Sequence, residues 1–192
     1  MRRIALFGED FAHQEVIGAL VSKVAGEQGV AVGLDWRSAT GGRPRLVDEF
    51  ERFLWDLERQ SDPRPELVVI ATDANCLGLN RREREIPSRS LAFPVVKAIP
   101  DPHVERWLLL DGAAFKTVFG AGCDAPDLKC ARDRYKEQLI RAMLNAGVAP
   151  SFGGIEYAAD IVRQMDLERA AQADRSLRRF TDALRGVFRG WR

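Results

Sequence analysis

One short segment constrains the fold more than any other: Leu67–Ala71, in which five apolar residues follow one another without a break. A continuous apolar run of this length is typical of a strand buried on both faces of a parallel sheet. Asp73 and Asn75 follow it almost at once. Because ligands gather beyond the carboxyl ends of the strands in open α/β sheets, we expect chemistry at this point of the chain.

The rest of the pattern alternates between strands and helices. The elements up to this point are predicted strands at 4–8, 30–36 and 66–72 and helices at 11–28 and 46–59. This β-α-β-α-β order predicts an α/β fold with a mostly parallel sheet and helices on both of its faces. The elements that follow are a charged helix at 79–86, a fourth strand at 93–99 and a helix at 103–111.

The last third of the sequence has helical patterns only. They cover residues 135–145, 154–165 and 176–188. We therefore predict an α/β core at 1–111 and a helical C-terminal extension at 112–192, packed on the same domain. The length of 192 residues also favours a single domain.

Composition excludes several classes of protein. The 29 basic and 28 acidic side chains nearly cancel, so the chain lacks the uniformly basic surface of many nucleic-acid-binding proteins. Three cysteines without a regular framework predict a reducing, cytoplasmic location and argue against a disulfide scaffold. The apolar run at 4–7 is too short for a signal peptide, and no run is long enough to predict a membrane span.

Oxygen-bearing side chains follow two of the predicted strands. Glu9 closes the first strand, and Asp73 and Asn75 follow the third. Such side chains are suitable ligands for Mg²⁺ or Mn²⁺, and metal-bound carboxylates can support phosphodiester hydrolysis. We predict Asp73 as the central metal ligand, Asn75 as an auxiliary ligand, and Glu9 as a ligand or general acid or base. The competing interpretation of Asp73 is a turn-forming aspartate at a strand end.

Further acidic residues follow the fourth strand and the first. Asp101 could extend the acidic cluster, although its place between two prolines equally suits a plain turn. Glu105 and Asp111 lie about 120° apart on a helix, which leaves Glu105 as the one we expect to face the site. Asp10 is predicted to be the N-cap of the first long helix.

A basic cluster directly follows the Asp73 segment. Arg81, Arg82 and Arg84 could bind the phosphate backbone of a nucleic acid, a contact that is independent of base sequence. A solvated helix face, neutralised by Glu83 and Glu85, is the competing interpretation, and both stay open.

Other common catalytic motifs are absent from the sequence. The two histidines, His13 and His103, have no spacing typical of a zinc site, and the cysteines form no Cys-x-x-Cys pair. No P-loop is present, so the sequence does not predict ATP hydrolysis by this chain.

The residues around Asp73 resemble those of the TOPRIM (topoisomerase–primase) family. The resemblance consists of Glu9 after the first strand and the segment 72–78, Thr-Asp-Ala-Asn-Cys-Leu-Gly, after a later one. That family places a glutamate and an Asp-x-Asp motif at these points, and its acids bind Mg²⁺. Asn75 stands where the family has its second aspartate, which predicts weaker metal binding.

A narrower resemblance covers most of the chain. Residues 100–111 are similar to the Pro-x-x-Glu-x-Trp-Leu-Leu-x-Asp segment of small TOPRIM-like proteins of bacteria. Residues 176–180, with Ala183 and Leu184, are similar to their closing Ser-Phe-x-x-Phe element. Those proteins are commonly encoded beside an ABC-type or OLD-type (overcoming-lysogenization-defect) ATPase in systems that act against phages. The resemblance implies a TOPRIM-like fold, nucleic acid as a substrate and an ATPase as a partner.

Three functions follow as hypotheses. The first is a metal-dependent nuclease, the effector of a phage-defence system that acts with the ATPase. It would need no membrane and could form an oligomer. The second, motivated by Asn75 and the near-neutral charge, is a catalytically weak or inactive adaptor subunit of that ATPase. The third is a phosphotransfer or phosphohydrolase enzyme for small molecules, because fold alone does not determine function.

Overall fold

The architecture is a four-stranded parallel sheet covered by helices. The computed structural model describes residues 1–41, 45–59, 64–88, 91–131 and 133–191. The strands are β1 (Arg2–Gly8), β2 (Val32–Ser38), β3 (Leu67–Ala71) and β4 (Val95–Ala98). Their order in the sheet is β2-β1-β3-β4, and each neighbouring pair is parallel.

Helices connect the strands and form the last third of the chain. The helices of the first part are α1 (Phe11–Glu27), α2 (Leu46–Arg59), α3 (Leu79–Glu85) and α4 (Val104–Leu108). Those that follow are α5 (Gly112–Phe119), α6 (Arg134–Asn145), α7 (Ala158–Gln164), α8 (Leu167–Ala173) and α9 (Arg175–Arg189). Single 3₁₀ turns lie at Asn75–Leu77 and Ile155–Tyr157. No helix in the described ranges is long and apolar enough to cross a membrane.

The sheet is buried on both faces because its apolar strands alternate their side chains between two clusters. On β1, Ile4 and Leu6 point into one cluster, whereas Ala5 and Phe7 point into the other. Every residue of β3 is buried, as expected of a central parallel strand. The cluster that contains Ile4 also includes residues of α1 and of α4 to α9, so the C-terminal helices share one core with the sheet.

The α/β class, the parallel sheet and the helices on both faces agree with the sequence prediction. The predicted helix at 46–59 has the same bounds as α2. Two helices, α5 and α8, were not predicted. They are eight and seven residues long, which is shorter than the window of about 11–18 residues over which apolar periodicity indicates a helix.

Candidate functional site

The loops after three strands meet at one edge of the sheet. The strand order changes direction between β1 and β3, where Gly8 lies in register with Ala71. Such a point in an open α/β sheet leaves a crevice beyond the strand ends. Backbone hydrogen bonds then tie the β3 loop to the β4 loop: the Ala74 amide donates to the Pro100 carbonyl at 2.8 Å, and the Asn75 amide donates to the Pro102 carbonyl at 2.9 Å.

Asp73 lies at the centre of this edge. Its side chain is only 13% exposed, and a histidine contacts each of its carboxylate oxygens. His13 Nε2 lies 3.2 Å from Oδ1, and His103 Nδ1 lies 3.0 Å from Oδ2. Three elements of the fold therefore converge on one carboxylate, since His13 belongs to α1 and His103 directly precedes α4.

His13 is a buried imidazole between two carboxylates. Its ring is 2% exposed, and Nδ1 lies 2.8 Å from Asp10 Oδ1 while Nε2 faces Asp73. Carboxylates accept hydrogen bonds, so both ring nitrogens act as donors and His13 is an imidazolium. Burial by itself lowers the pKa of His13, but Asp73 and Asp10 outweigh it and raise that pKa well above its ordinary value. Asp10 also accepts from the His13 amide at 3.1 Å, which confirms the predicted N-cap.

Two carboxyl groups of the site have pKa values displaced in opposite directions. Burial favours the neutral form of Asp73, but His13 and His103 outweigh it and lower the pKa of Asp73. Burial and the charge of Asp73 raise the pKa of Glu105. Opposite displacement of neighbouring carboxyl groups is typical of a site that holds one proton donor and one proton acceptor.

A cleft of about 1030 Å³ opens beside this carboxylate. Its lining combines acidic, basic and neutral polar side chains, which include Asp73, Asn75, Arg82, His103, Glu105 and Lys136. Arg82 Nε donates to the Asp73 carbonyl at 3.0 Å, and its guanidinium contacts Glu85 at 2.7 Å. The cleft can therefore offer an anionic ligand two cations next to an acid–base pair.

A disulfide joins Cys76 to Cys130 at the wall of the same cleft. Their Cα atoms are 5.3 Å apart, and 54 positions separate them in the chain. The sequence analysis argued against disulfides because the cysteines show no regular spacing, and the structure corrects this for one pair. Spacing along the chain carries no information about two loops that only the fold brings together. Cys123 is a free thiol, and burial raises its pKa to about 11.

The cleft unites only some of the predicted site residues. Four of the predicted residues are among the described residues that line the cleft: Asp73, Asn75, Arg82 and Glu105. The other four are not among them: Glu9, Asp101, Arg81 and Arg84. Arg81 and Arg84 are exposed to solvent outside the cleft. The Glu9 carboxylate instead accepts a hydrogen bond from the Thr72 hydroxyl, and the Asp101 amide donates to Ser176 Oγ at 3.2 Å.

Asn75 has a backbone role that the sequence analysis did not foresee. Its φ of 50° lies in the left-handed region, which asparagine and aspartate tolerate better than other side chains. Its side-chain amide donates to the Asp73 carbonyl at 3.2 Å and so stabilises the turn that presents Asp73.

The donors do not fit the predicted metal site as they are arranged. Among the described residues, no three His, Cys, Asp or Glu side chains form a group that could hold a metal ion. Both oxygens of Asp73 contact imidazole nitrogens instead. A metal ligand set of Glu9, Asp73 and Asn75 would require these contacts to be replaced.

The spacing of His13 and His103 was compared only with that of zinc sites, and the contacts of both histidines with Asp73 were not predicted. Both follow predicted strands, at the same sheet edge as Asp73. The rule that placed Asp73 at the site would therefore have placed both histidines there too. Comparisons of the chain with models of protein families, with curated proteins and with solved structures found no match.

Proposed function

We propose that the chain is a nuclease, and that its cleft is the site of phosphodiester hydrolysis. The observation that carries the proposal is the pair of Asp73 and His103, which meet at 3.0 Å in the wall of an open polar cleft. A carboxylate that orients an imidazole is a recurrent device for activating a nucleophile.

His103 provides the base in this proposal. Because the Asp73 carboxylate accepts from Nδ1, a neutral His103 carries its lone pair on Nε2. That nitrogen can take a proton from the water that attacks phosphorus. His13, held as an imidazolium by Asp10 and Asp73, fixes the position of the carboxylate and balances its buried charge.

Glu105 and two cations complete the chemistry. The raised pKa of Glu105 favours its protonated form, from which it can donate a proton to the leaving oxygen. Arg82 and Lys136 line the same cleft and can neutralise the phosphate. Such contacts position a backbone without reading its sequence, which suits a nuclease of broad specificity.

The sequence adds two elements to the proposal: dependence on Mg²⁺ or Mn²⁺, and action with an ABC-type or OLD-type ATPase as part of phage defence. A metal would supply charge neutralisation at the scissile phosphate. The metal rests on the strand-end side chains and on the TOPRIM resemblance, and the ATPase rests on the resemblance alone, so the assay must treat metal and partner as variables.

The test is cleavage of supercoiled plasmid, single-stranded DNA and RNA by the purified chain, with Mg²⁺, with Mn²⁺ and with a chelator. We expect Asp73→Asn, His103→Gln and Glu105→Gln each to lower the cleavage rate by about 10²–10⁴-fold. Asp160→Asn is the matched control, because Asp160 lies on α7 with a half-exposed side chain and should leave the rate unchanged. Cleavage by the Asp73→Asn and His103→Gln variants at the wild-type rate would disprove this assignment.

The adaptor function remains the alternative, and one observation favours it. The two imidazoles contact both oxygens of Asp73, and the residues that the structure describes form no metal-ligand group. An adaptor would cut no substrate under any condition, and it would co-purify with the ATPase encoded beside it. Cleavage that appears only after that ATPase is added would instead support a nuclease that its partner activates.

A further inference from the structure

The exposed edge of the sheet at β2 has a self-complementary sequence. In the described part of the chain, β2 has a strand neighbour on one side only, which is β1. Four of its seven residues are exposed, including Leu34, Asp35 and Arg37. Grooves of about 680 and 280 Å³ flank β2 on the two faces of the sheet, so the described neighbours leave its edge accessible.

The backbone geometry defines which groups of β2 point outward. The Arg2 amide donates to the Ala31 carbonyl, and the Ala39 amide donates to the Gly8 carbonyl. Odd-numbered residues therefore direct their backbone groups towards β1. Because these groups alternate along a strand, Leu34, Trp36 and Ser38 direct theirs away from the sheet. An exposed row of outward-pointing backbone N–H and C=O groups is a template for pairing with another strand.

We propose that two copies of this chain associate through antiparallel pairing of their β2 strands, centred on Trp36. This inference is independent of the nuclease proposal, because it requires no residue of the cleft. A second copy is the occupant that the charges favour, since an isologous contact requires a surface that complements itself.

The charges of Asp35 and Arg37 favour this register over the registers that are centred one residue to either side. With Trp36 opposite Trp36 of the second copy, Asp35 lies opposite Arg37 of the second copy, and symmetry repeats the pair. A shift that centres the pairing on Asp35 would oppose two aspartates, and one centred on Arg37 would oppose two arginines. Directly opposite charges stabilise a strand pair and like charges destabilise it. Both side chains are available, since Asp35 is 67% and Arg37 57% exposed and their own contact is long, at 3.7 Å.

The opposite face of the strand pair adds apolar contact. Leu34 is 38% exposed and lies beside Trp36 in the larger groove. The Trp36 ring packs over Gly8 of β1, so Leu34 is the apolar side chain of this face that stays exposed towards a second copy. The Trp36 Nε1 donates to Ser38 Oγ at 2.8 Å, which fixes the ring in this position.

The test measures the mass of the full chain in solution by sedimentation over a range of concentrations. We expect a dimer for the wild type. Asp35→Arg and Arg37→Asp each place like charges opposite one another twice, and should raise the dissociation constant about tenfold or more. The double variant that exchanges both charges restores opposite pairs and should restore the dimer. Lys129→Asp, which reverses an exposed, paired charge elsewhere, is the matched control.

A second variant tests the backbone pairing itself. Leu34→Pro removes an outward N–H group and leaves the hydrogen bonds to β1 intact, so the fold should survive while the dimer is lost. Circular dichroism and thermal unfolding check the fold of every variant. A wild type that stays monomeric at all concentrations, or a dimer that survives Asp35→Arg and Arg37→Asp, would overturn the proposal.

Discussion

Two regions of the molecule bury carboxylates, and they neutralise them differently. At the strand ends, Asp73 contacts two imidazoles. Between α4 and α9, Asp174 pairs with the buried guanidinium of Arg106 and accepts from the Leu177 amide at 2.7 Å, as the N-cap of α9. An arginine stays charged at any accessible pH, whereas an imidazole gains or loses its proton near neutrality.

Asp111 is neutralised in the same way as Asp174, by an arginine and helix amides. It caps α5 through the amides of Ala113 and Ala114, and Arg169 holds both of its oxygens at 2.7 and 2.8 Å. The comparison shows that burial alone does not mark a functional acid. The distinguishing features at Asp73 are two imidazole partners and access to a cleft, whereas Asp111 and Asp174 have guanidinium groups and helix amides as partners.

The largest expected effect is on stability, at Asp174. Replacing Asp174 with alanine leaves the Arg106 guanidinium buried without its counterion and removes the cap of α9. We expect the free energy of unfolding to fall by about 3–5 kcal/mol, measured by urea denaturation. Asp160→Ala, at an exposed ion pair, should change it by less than about 0.5 kcal/mol. A similar small loss for Asp174→Ala would remove the distinction between the two regions.

The second prediction concerns pH. The pKa of His13 is raised in the folded chain, so its contribution to stability is complete below the unfolded pKa of about 6.5 and is lost as pH rises through the folded pKa. The free energy of unfolding should therefore decrease as pH rises from the unfolded pKa to the folded pKa of His13. The slope should reach up to about 1.4 kcal/mol per pH unit for one proton.

Urea denaturation between pH 6 and about 9 measures this slope. His13→Gln should lack the component, whereas Asp174→Ala should retain it, because that substitution leaves His13 and its contacts with Asp10 and Asp73 in place. A wild type with a flat profile over this window would contradict the assignment of His13 as an imidazolium.

The smallest expected effect comes from Asp10→Ser. Serine keeps the N-cap acceptor for α1, so stability should change by less than about 1 kcal/mol. It removes one of the two carboxylates that raise the pKa of His13, so that pKa should fall. The chain has only two histidines, so a nuclear magnetic resonance titration can follow this ring directly. An unchanged pKa would show that Asp73 alone holds the imidazolium.

Much of the fold could be predicted from the sequence because several strands and helices have long apolar patterns. The run at Leu67–Ala71 and the amphipathic pattern of α2 each predicted their element, and the alternation of strands and helices predicted the parallel sheet. The short α5 and α8 were missed because tertiary packing rather than periodicity defines them. The TOPRIM assignment itself stays a prediction.

The site was predictable in its position but not in its partners. The strand-end rule located Asp73, whereas the contacts of Asp73 with His13 and His103 span 60 and 30 positions and depend on how α1 and the β4 loop pack. Ser176 and Asp111 support the family resemblance in sequence, yet the structure uses both for capping and packing. Residue type alone cannot separate these roles.

The disulfide between Cys76 and Cys130 has a consequence for chain connectivity. It closes a covalent ring that contains β4, His103 and Glu105, while Asp10, His13 and Asp73 lie outside that ring. A protease that cuts the chain once within the ring would therefore leave both fragments attached to each other, with the acid–base groups still in one molecule. Such nicked protein would migrate as a single species on a gel without reductant and as two fragments after reduction.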